Sequence, residues 1–182
     1  MERYCIEDGK YRYRLDLVSG IPNGKVSTVI MCNPSKADTN IDDATTKALS
    51  RWMEKNNYST LRIVNLYAYR ATKPADLLNL QNTIAIGSEN DRHVIEAMQD
   101  VDHVILAWGN PKGRSKSDFL KRTIDVMNIV SKSCTNLCCV TPPTKLGYPR
   151  HPLYWHTFAD QSIRTWSMPK LKPSELLRLK MD

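Results

Sequence analysis

Four short runs carry more polar and aromatic chemistry than a chain connection needs. They are Asn33-Pro34-Ser35, Asn65-Leu66-Tyr67-Ala68-Tyr69-Arg70, Trp108-Gly109-Asn110 and Pro149-Arg150-His151-Pro152. Their side chains include amides, aromatic rings, guanidinium groups and one imidazole. An amide presents a donor and an acceptor together, a ring stacks on a flat ligand, and a guanidinium pairs with phosphate. The combination suits a nucleobase or a nucleotide. Three carboxylates, Asp38, Asp42 and Asp43, follow the first run and either supply a base or cap the next helix. Several other chemistries are excluded as written. The sequence has no Gly-x-x-x-x-Gly-Lys-Ser/Thr loop, no Gly-x-Gly-x-x-Gly turn, no Gly-x-Ser-x-Gly elbow and no His-x-Glu paired with Cys-x-x-Cys. No cofactor is expected.

The elements that must position these runs alternate in type. Tyr11 to Leu17 reads as an edge strand, closed by the turn residues Gly20 to Gly24. Val26 to Cys32 is a buried strand. Asp42-Asp43-Ala44 opens a helix running to about Asn56, with Ala48, Leu49, Trp52 and Met53 inward. Leu61 to Tyr67 is a second strand, Pro74 to Leu78 a helical turn, and Ser88 or Asn90 caps a helix carrying Val94, Ile95 and Met98. Asp102 to Ala107 is a third strand. Ser115 or Ser117 caps a long helix, and Leu137 to Val140 is a fourth strand. This order predicts a three-layer α/β/α domain with a central, mainly parallel four-stranded sheet and an extra N-terminal edge strand. In such sheets ligands bind beyond the carboxyl ends of the strands, where all four runs fall.

The set of runs closely resembles the family catalogued as domain of unknown function 1643, from about Tyr11 to Tyr154. The order of the motifs is also similar, more distantly, to the uracil-DNA glycosylase superfamily. That resemblance implies a glycosylase-like fold in which Asn33 positions water, Asn65 reads the base and His151 stabilises the leaving group. Cleaving an N-glycosidic bond puts negative charge on the departing base, and a histidine donating to a base oxygen stabilises it. Asn65 can pair with the carbonyl and N–H edge of a pyrimidine. Tyr67 or Tyr69 stacks, with Trp108, Gly109 and Asn110 lining the site. Arg70, Arg150 or the backbone around Pro34 and Ser35 meets phosphate, and Asp38, Asp42 or Asp43 supplies a base. Asparagine cannot take a proton from water, so position 33 orients it without activating it.

Plainer readings stand beside each of these. Asn33-Pro34-Ser35 is also a set of turn formers, Asn65 also a structural hydrogen-bonding residue, and Trp108 also a packing residue. Arg70 and Arg150 also suit surface ion pairs. Two further function classes therefore remain: a non-catalytic nucleotide or modified-base binding protein, and a nucleic-acid adaptor using only basic surface.

Composition sets the outer bounds. With 182 residues, 41% of them hydrophobic, one domain is expected, with a core of about residues 11–168 and a basic tail, 169–182. The net charge of +7 favours nucleic-acid or nucleotide partners and is densest over Lys10–Arg14, Lys112–Lys121 and Lys170–Lys180. No apolar run spans a membrane and no signal peptide is visible, so a cytoplasmic protein is expected. Five cysteines, Cys5, Cys32, Cys134, Cys138 and Cys139, form no metal-binding spacing and read as buried thiols.

Overall fold

The computed structural model describes residues 1–35, 37–71, 74–133 and 137–165. In chain order these form β1 (Glu2–Asp8), β2 (Tyr11–Val18), β3 (Lys25–Met31), α1 (Ala44–Lys55), β4 (Tyr58–Asn65), α2 (Asn82–Ile86), α3 (Asn90–Ala97), β5 (His103–Leu106), α4 (Lys116–Ser133), β6 (Leu137–Val140) and β7 (Ile163–Thr165). Two 3-10 turns, Pro74–Leu77 and Pro152–Thr157, complete the described chain. Cys134, Lys36, Thr72 and the expected basic tail lie outside the described residues.

One seven-stranded sheet runs in the order β1-β2-β4-β3-β5-β6-β7. The four inner strands β4, β3, β5 and β6 are mutually parallel, whereas β1, β2 and β7 pair antiparallel. The sheet is thus wider and more mixed than the four strands and single edge expected from the sequence. Tyr11–Val18 is not an edge, because Glu2–Asp8 pairs along its outer side. β1 buries almost nothing, and β7 is three residues long. Neither presents the apolar alternation by which strands are recognised.

The central strands are covered on both faces, which explains their near-continuous apolar sequences. Val29, Met31, Leu61, Ile63 and Ile105 pack against Leu49, Trp52 and Met53 of α1 and against Trp155. Ile30, Val64, Val104 and Leu106 pack against Val94 and Ala97 of α3 and Phe119, Val126 and Val130 of α4. Helix starts are set by side chains. Asp43 accepts from the N–H groups of Thr45 and Thr46, both at 2.9 Å, and Thr46 returns a hydroxyl to the Asp43 N–H at 3.0 Å. The Ser115 hydroxyl accepts from the Asp118 N–H at 3.0 Å, opening α4.

Part of the basic stretch 112–121 and its neighbourhood is structural rather than a partner surface. Arg114 donates to the carbonyls of Leu77 and Leu80 at 2.6 and 2.5 Å. Arg122 donates to the Leu66 carbonyl and to Asp91, each at 2.6 Å. Both arginines are buried. Cys138 and Cys139 are buried thiols, and Cys5 and Cys32 are partly covered. Among the described residues no helix is long and apolar enough to cross a membrane.

Candidate functional site

The exits of the four parallel strands are stitched together in sheet order. Leu66 and Tyr67 donate to the carbonyls of Met31 and Cys32 at 2.8 and 3.0 Å, extending the β3–β4 pairing beyond the strands. Ala107 donates to Ile30 at 2.8 Å, and Gly109 donates to Pro149 at 2.9 Å. Residues more than one hundred positions apart in sequence therefore share one end of the sheet.

Asn33 latches two of these exits. Its Nδ2 donates to the carbonyls of Pro34 and Ala71, both at 3.0 Å, and the Ala71 N–H donates to the Pro34 carbonyl at 3.1 Å. With both amide hydrogens committed to backbone, Oδ1 is the remaining functional atom, and it takes no hydrogen bond from a described residue.

Asn65, the last residue of β4, pairs in register with Met31 and shares the face of Leu61 and Ile63. It is 0% exposed, yet neither Nδ2 nor Oδ1 has a hydrogen-bond partner. A buried amide left unpaired is costly, which sets Asn65 apart from an ordinary strand residue. The same face carries α1, whose N-cap is Asp43.

His151 reaches this end through the 3-10 turn that follows it. Trp155 packs edge-on against Trp52 of α1 with ring centres 5.3 Å apart, and its indole N–H donates to the Arg150 carbonyl at 2.9 Å. The turn is thereby fixed, and His151 caps it with Nδ1 accepting from the Leu153 N–H at 3.4 Å. With Nδ1 as acceptor, the proton of a neutral ring sits on Nε2. Burial lowers the His151 pKa to about 4, the Lys112 ammonium adds to the effect and the Asp43 carboxylate opposes it. The ring is therefore a neutral N–H donor at physiological pH.

Gly109 permits the close approach of the β5 and β6 exits. Its φ is +75°, and a β-carbon there would lie 3.4 Å from Cβ of His151. That contact is ordinary, so the cost of a side chain falls on the backbone. Gly109→Ala should lower unfolding free energy by about 1–2 kcal/mol, read as a reduced urea midpoint.

Other expected site residues are placed differently. Asp38 structures its own loop: its Oδ1 accepts from the N–H groups of Asn40 and Ile41, each at 2.8 Å. Those two bonds, with help from the Arg70 guanidinium, hold its pKa below the usual carboxylate value. Arg70 pairs with Glu7 at 2.6 Å and with Asp38 at 3.5 Å. Arg150 donates to the Pro142 and Pro143 carbonyls at 2.9 and 3.2 Å and lies over the Phe158 ring. Tyr67 and Trp108 are buried in the core on the α3–α4 face, opposite the face of Asn65. Tyr69 packs edge-on against Tyr11, with centres 5.9 Å apart. Pro34 is buried, Ser35 is partly covered and Asn110 is exposed. Asn33 and Pro34 thus close on Ala71, Gly109 lies beside His151, Asp43 acts on the His151 charge and Asn65 is enclosed beside Met31, whereas the tyrosines, Trp108 and both outer arginines have structural surroundings.

Two residues at this end were not singled out by the sequence. Arg12, on β2, is 4% exposed and donates through Nη1 to the Ala37 carbonyl at 2.5 Å. Burial lowers its pKa to about 10, so it remains charged at neutral pH. Thr141, just past β6, is buried at φ +66°, a strained backbone for a β-branched residue. Nothing in the alternation of Tyr11 to Leu17 sets Arg12 apart from Arg14, whereas Thr141-Pro142-Pro143 does carry the signal of a constrained turn.

An α/β domain with polar residues gathered at the carboxyl ends of parallel strands is the class these observations define. The chain belongs to the family described as protein of unknown function (DUF1643), whose model matches residues 12–153. No curated protein and no solved structure gives a significant match.

Proposed function

We propose that the chain is a nucleobase-recognising N-glycosidase-like enzyme acting on a base in DNA or in a nucleotide. The observation that carries this reading is the fully buried Asn65 amide with neither atom partnered. Its donor and acceptor match the edge of a pyrimidine, and a base admitted by movement of the loops that enclose it would supply the two missing hydrogen bonds. The motif order, similar to that of the uracil-DNA glycosylase superfamily, supports the same assignment.

In the proposed reaction the bond between C1′ and the base nitrogen breaks, and its electron pair leaves with the base. Nε2–H of His151 donates to a base oxygen and stabilises that charge. Water adds through oxygen to C1′, oriented by accepting contact with Asn33 Oδ1. The water proton passes to Asp43, the carboxylate that interacts with His151, and solvent returns a proton to the base. A base within a duplex must first leave the stack.

The test is release of free base by the purified full chain. Substrates are oligonucleotides containing uracil, thymine mismatches or modified pyrimidines, and the corresponding free nucleotides. Release from at least one is expected, reduced about 100-fold or more by His151→Ala. No release from any of them overturns catalysis. One observation favours a second reading, a binding protein using the same site: Asn33 has no basic group and its amide hydrogens are committed to backbone. That reading predicts tight nucleotide binding without turnover, and full binding after Asn33→Ala.

A further inference from the structure

Arg12 is a buried cation that no carboxylate among the described residues meets in a contact ion pair. Its Nε is buried with no partner, Nη1 has a neutral carbonyl, and no hydrogen bond joins Nη2 to a described residue. Among the described residues no carboxylate forms an ion pair with it. Asp43 and Glu7 favour its charge from a distance, but none of the nearby acids meets it: Glu7 pairs with Arg70, Asp38 Oδ1 accepts from two backbone amides, and Asp43 Oδ1 opens α1. One carbonyl does not compensate a buried guanidinium, which offers five donors and prefers an anion that accepts two of them side by side.

The location connects this cation to the site. The Arg12 N–H donates to the Ala68 carbonyl at 3.0 Å, three residues beyond Asn65, and its side chain grips Ala37 in the loop between Asn33 and Asp43. Arg12 therefore bridges the exits of β3 and β4, where the base-reading amide and the water-orienting amide lie.

We propose that Arg12 is the counter-charge for a phosphate of the ligand, so that the site selects a phosphorylated ligand over a free base or nucleoside. This rests on the base-recognition reading for the rest of the ligand. The phosphate belongs either to a mononucleotide or to one unit of a nucleic-acid strand, and both present the same oxygens to the guanidinium.

Calorimetry on the full chain tests the proposal with paired probes. These are deoxyuridine, thymidine and deoxycytidine, each against its 5′-monophosphate, and a short uracil-containing single strand. For one pair the nucleotide should bind about tenfold or more tighter than the nucleoside. Arg12→Gln should bring the two within about twofold by weakening the nucleotide alone, and Arg12→Lys should keep part of the preference. A strand binding about tenfold tighter than its mononucleotide assigns the phosphate to nucleic acid, and equal binding assigns it to the free nucleotide. Equal affinity for nucleoside and nucleotide in the unaltered protein overturns the proposal, as does an equal loss for both in Arg12→Gln. Inorganic phosphate separates this idea from the base reading. If no nucleoside or nucleotide binds, yet phosphate shifts the Arg12 Nε–Hε resonance, the anion site stands and the base reading fails. If phosphate leaves that resonance unmoved, the anion site fails whatever nucleosides do.

Discussion

Asn65→Leu is expected to stabilise the protein while abolishing its interaction with ligand. Leucine shares the branched outline of asparagine but is bulkier, and the neighbours that must accommodate it are Ile63, Leu61 and Met31. The substitution removes a donor and an acceptor that are both buried without partners. Removing such an unsatisfied amide should return about 1–3 kcal/mol, seen as a higher urea midpoint. Base release, or nucleotide binding if turnover is absent, should fall on the order of 100-fold or more. The opposed signs are what make the experiment informative, because function is expected to be held at the expense of stability. A destabilised variant would mean that the amide holds the loops together, and Asn65 would lose its assignment as the base reader.

A second large effect concerns pH. In the unfolded chain His151 binds a proton near its ordinary value of 6.5, whereas in the folded protein burial delays protonation to about pH 4. Between these values the unfolded state holds more protons, so stability falls as pH is lowered from about 6.5 to about 4 and this contribution levels off below. The whole span is worth about 3 kcal/mol. His93 is also lowered by burial, so the measurement is a difference between two curves. Urea unfolding from pH 7.5 to pH 4 should show a steep acid limb in the unaltered protein and a shallower one in His151→Gln. Curves that run parallel would show that the imidazole is solvated and carries its ordinary affinity for protons. The functional counterpart is a donor whose charge state does not change across the physiological range.

Much of this arrangement is legible in the sequence, and the exceptions have physical causes. The Leu137–Val140 strand was bounded correctly because it is short, apolar and closed by prolines. β4 begins three residues before the Leu61 start that its apolar pattern suggests, since Tyr58-Ser59-Thr60 looks polar although Tyr58 is buried against Trp52. β1 was not seen because Tyr4 and Ile6 remain exposed on an outer strand. The four runs stand out because strand ends in parallel sheets are where polar residues have no structural excuse. What sequence pattern could not reveal is which polar group is already satisfied. Arg70 and Arg150 look like phosphate ligands until their partners Glu7 and the Pro142 carbonyl are known. Arg12 looks like an ordinary solvent-facing residue until its missing partner is noticed. Spacing locates a group; only geometry says whether its bonding capacity is spent.

The latch formed by Asn33 has an evolutionary corollary. An ionised aspartate at this position would face the Pro34 and Ala71 carbonyl oxygens with oxygen rather than N–H, and would repel both. It would fit only by keeping a proton, and a carboxyl group that must stay protonated is no base. No single exchange at this residue therefore leads from amide to carboxylate chemistry. Carboxylate chemistry at this position would require the contacts around Ala71 to be rearranged as well, so the neighbours constrain residue 33 alongside its part in the reaction.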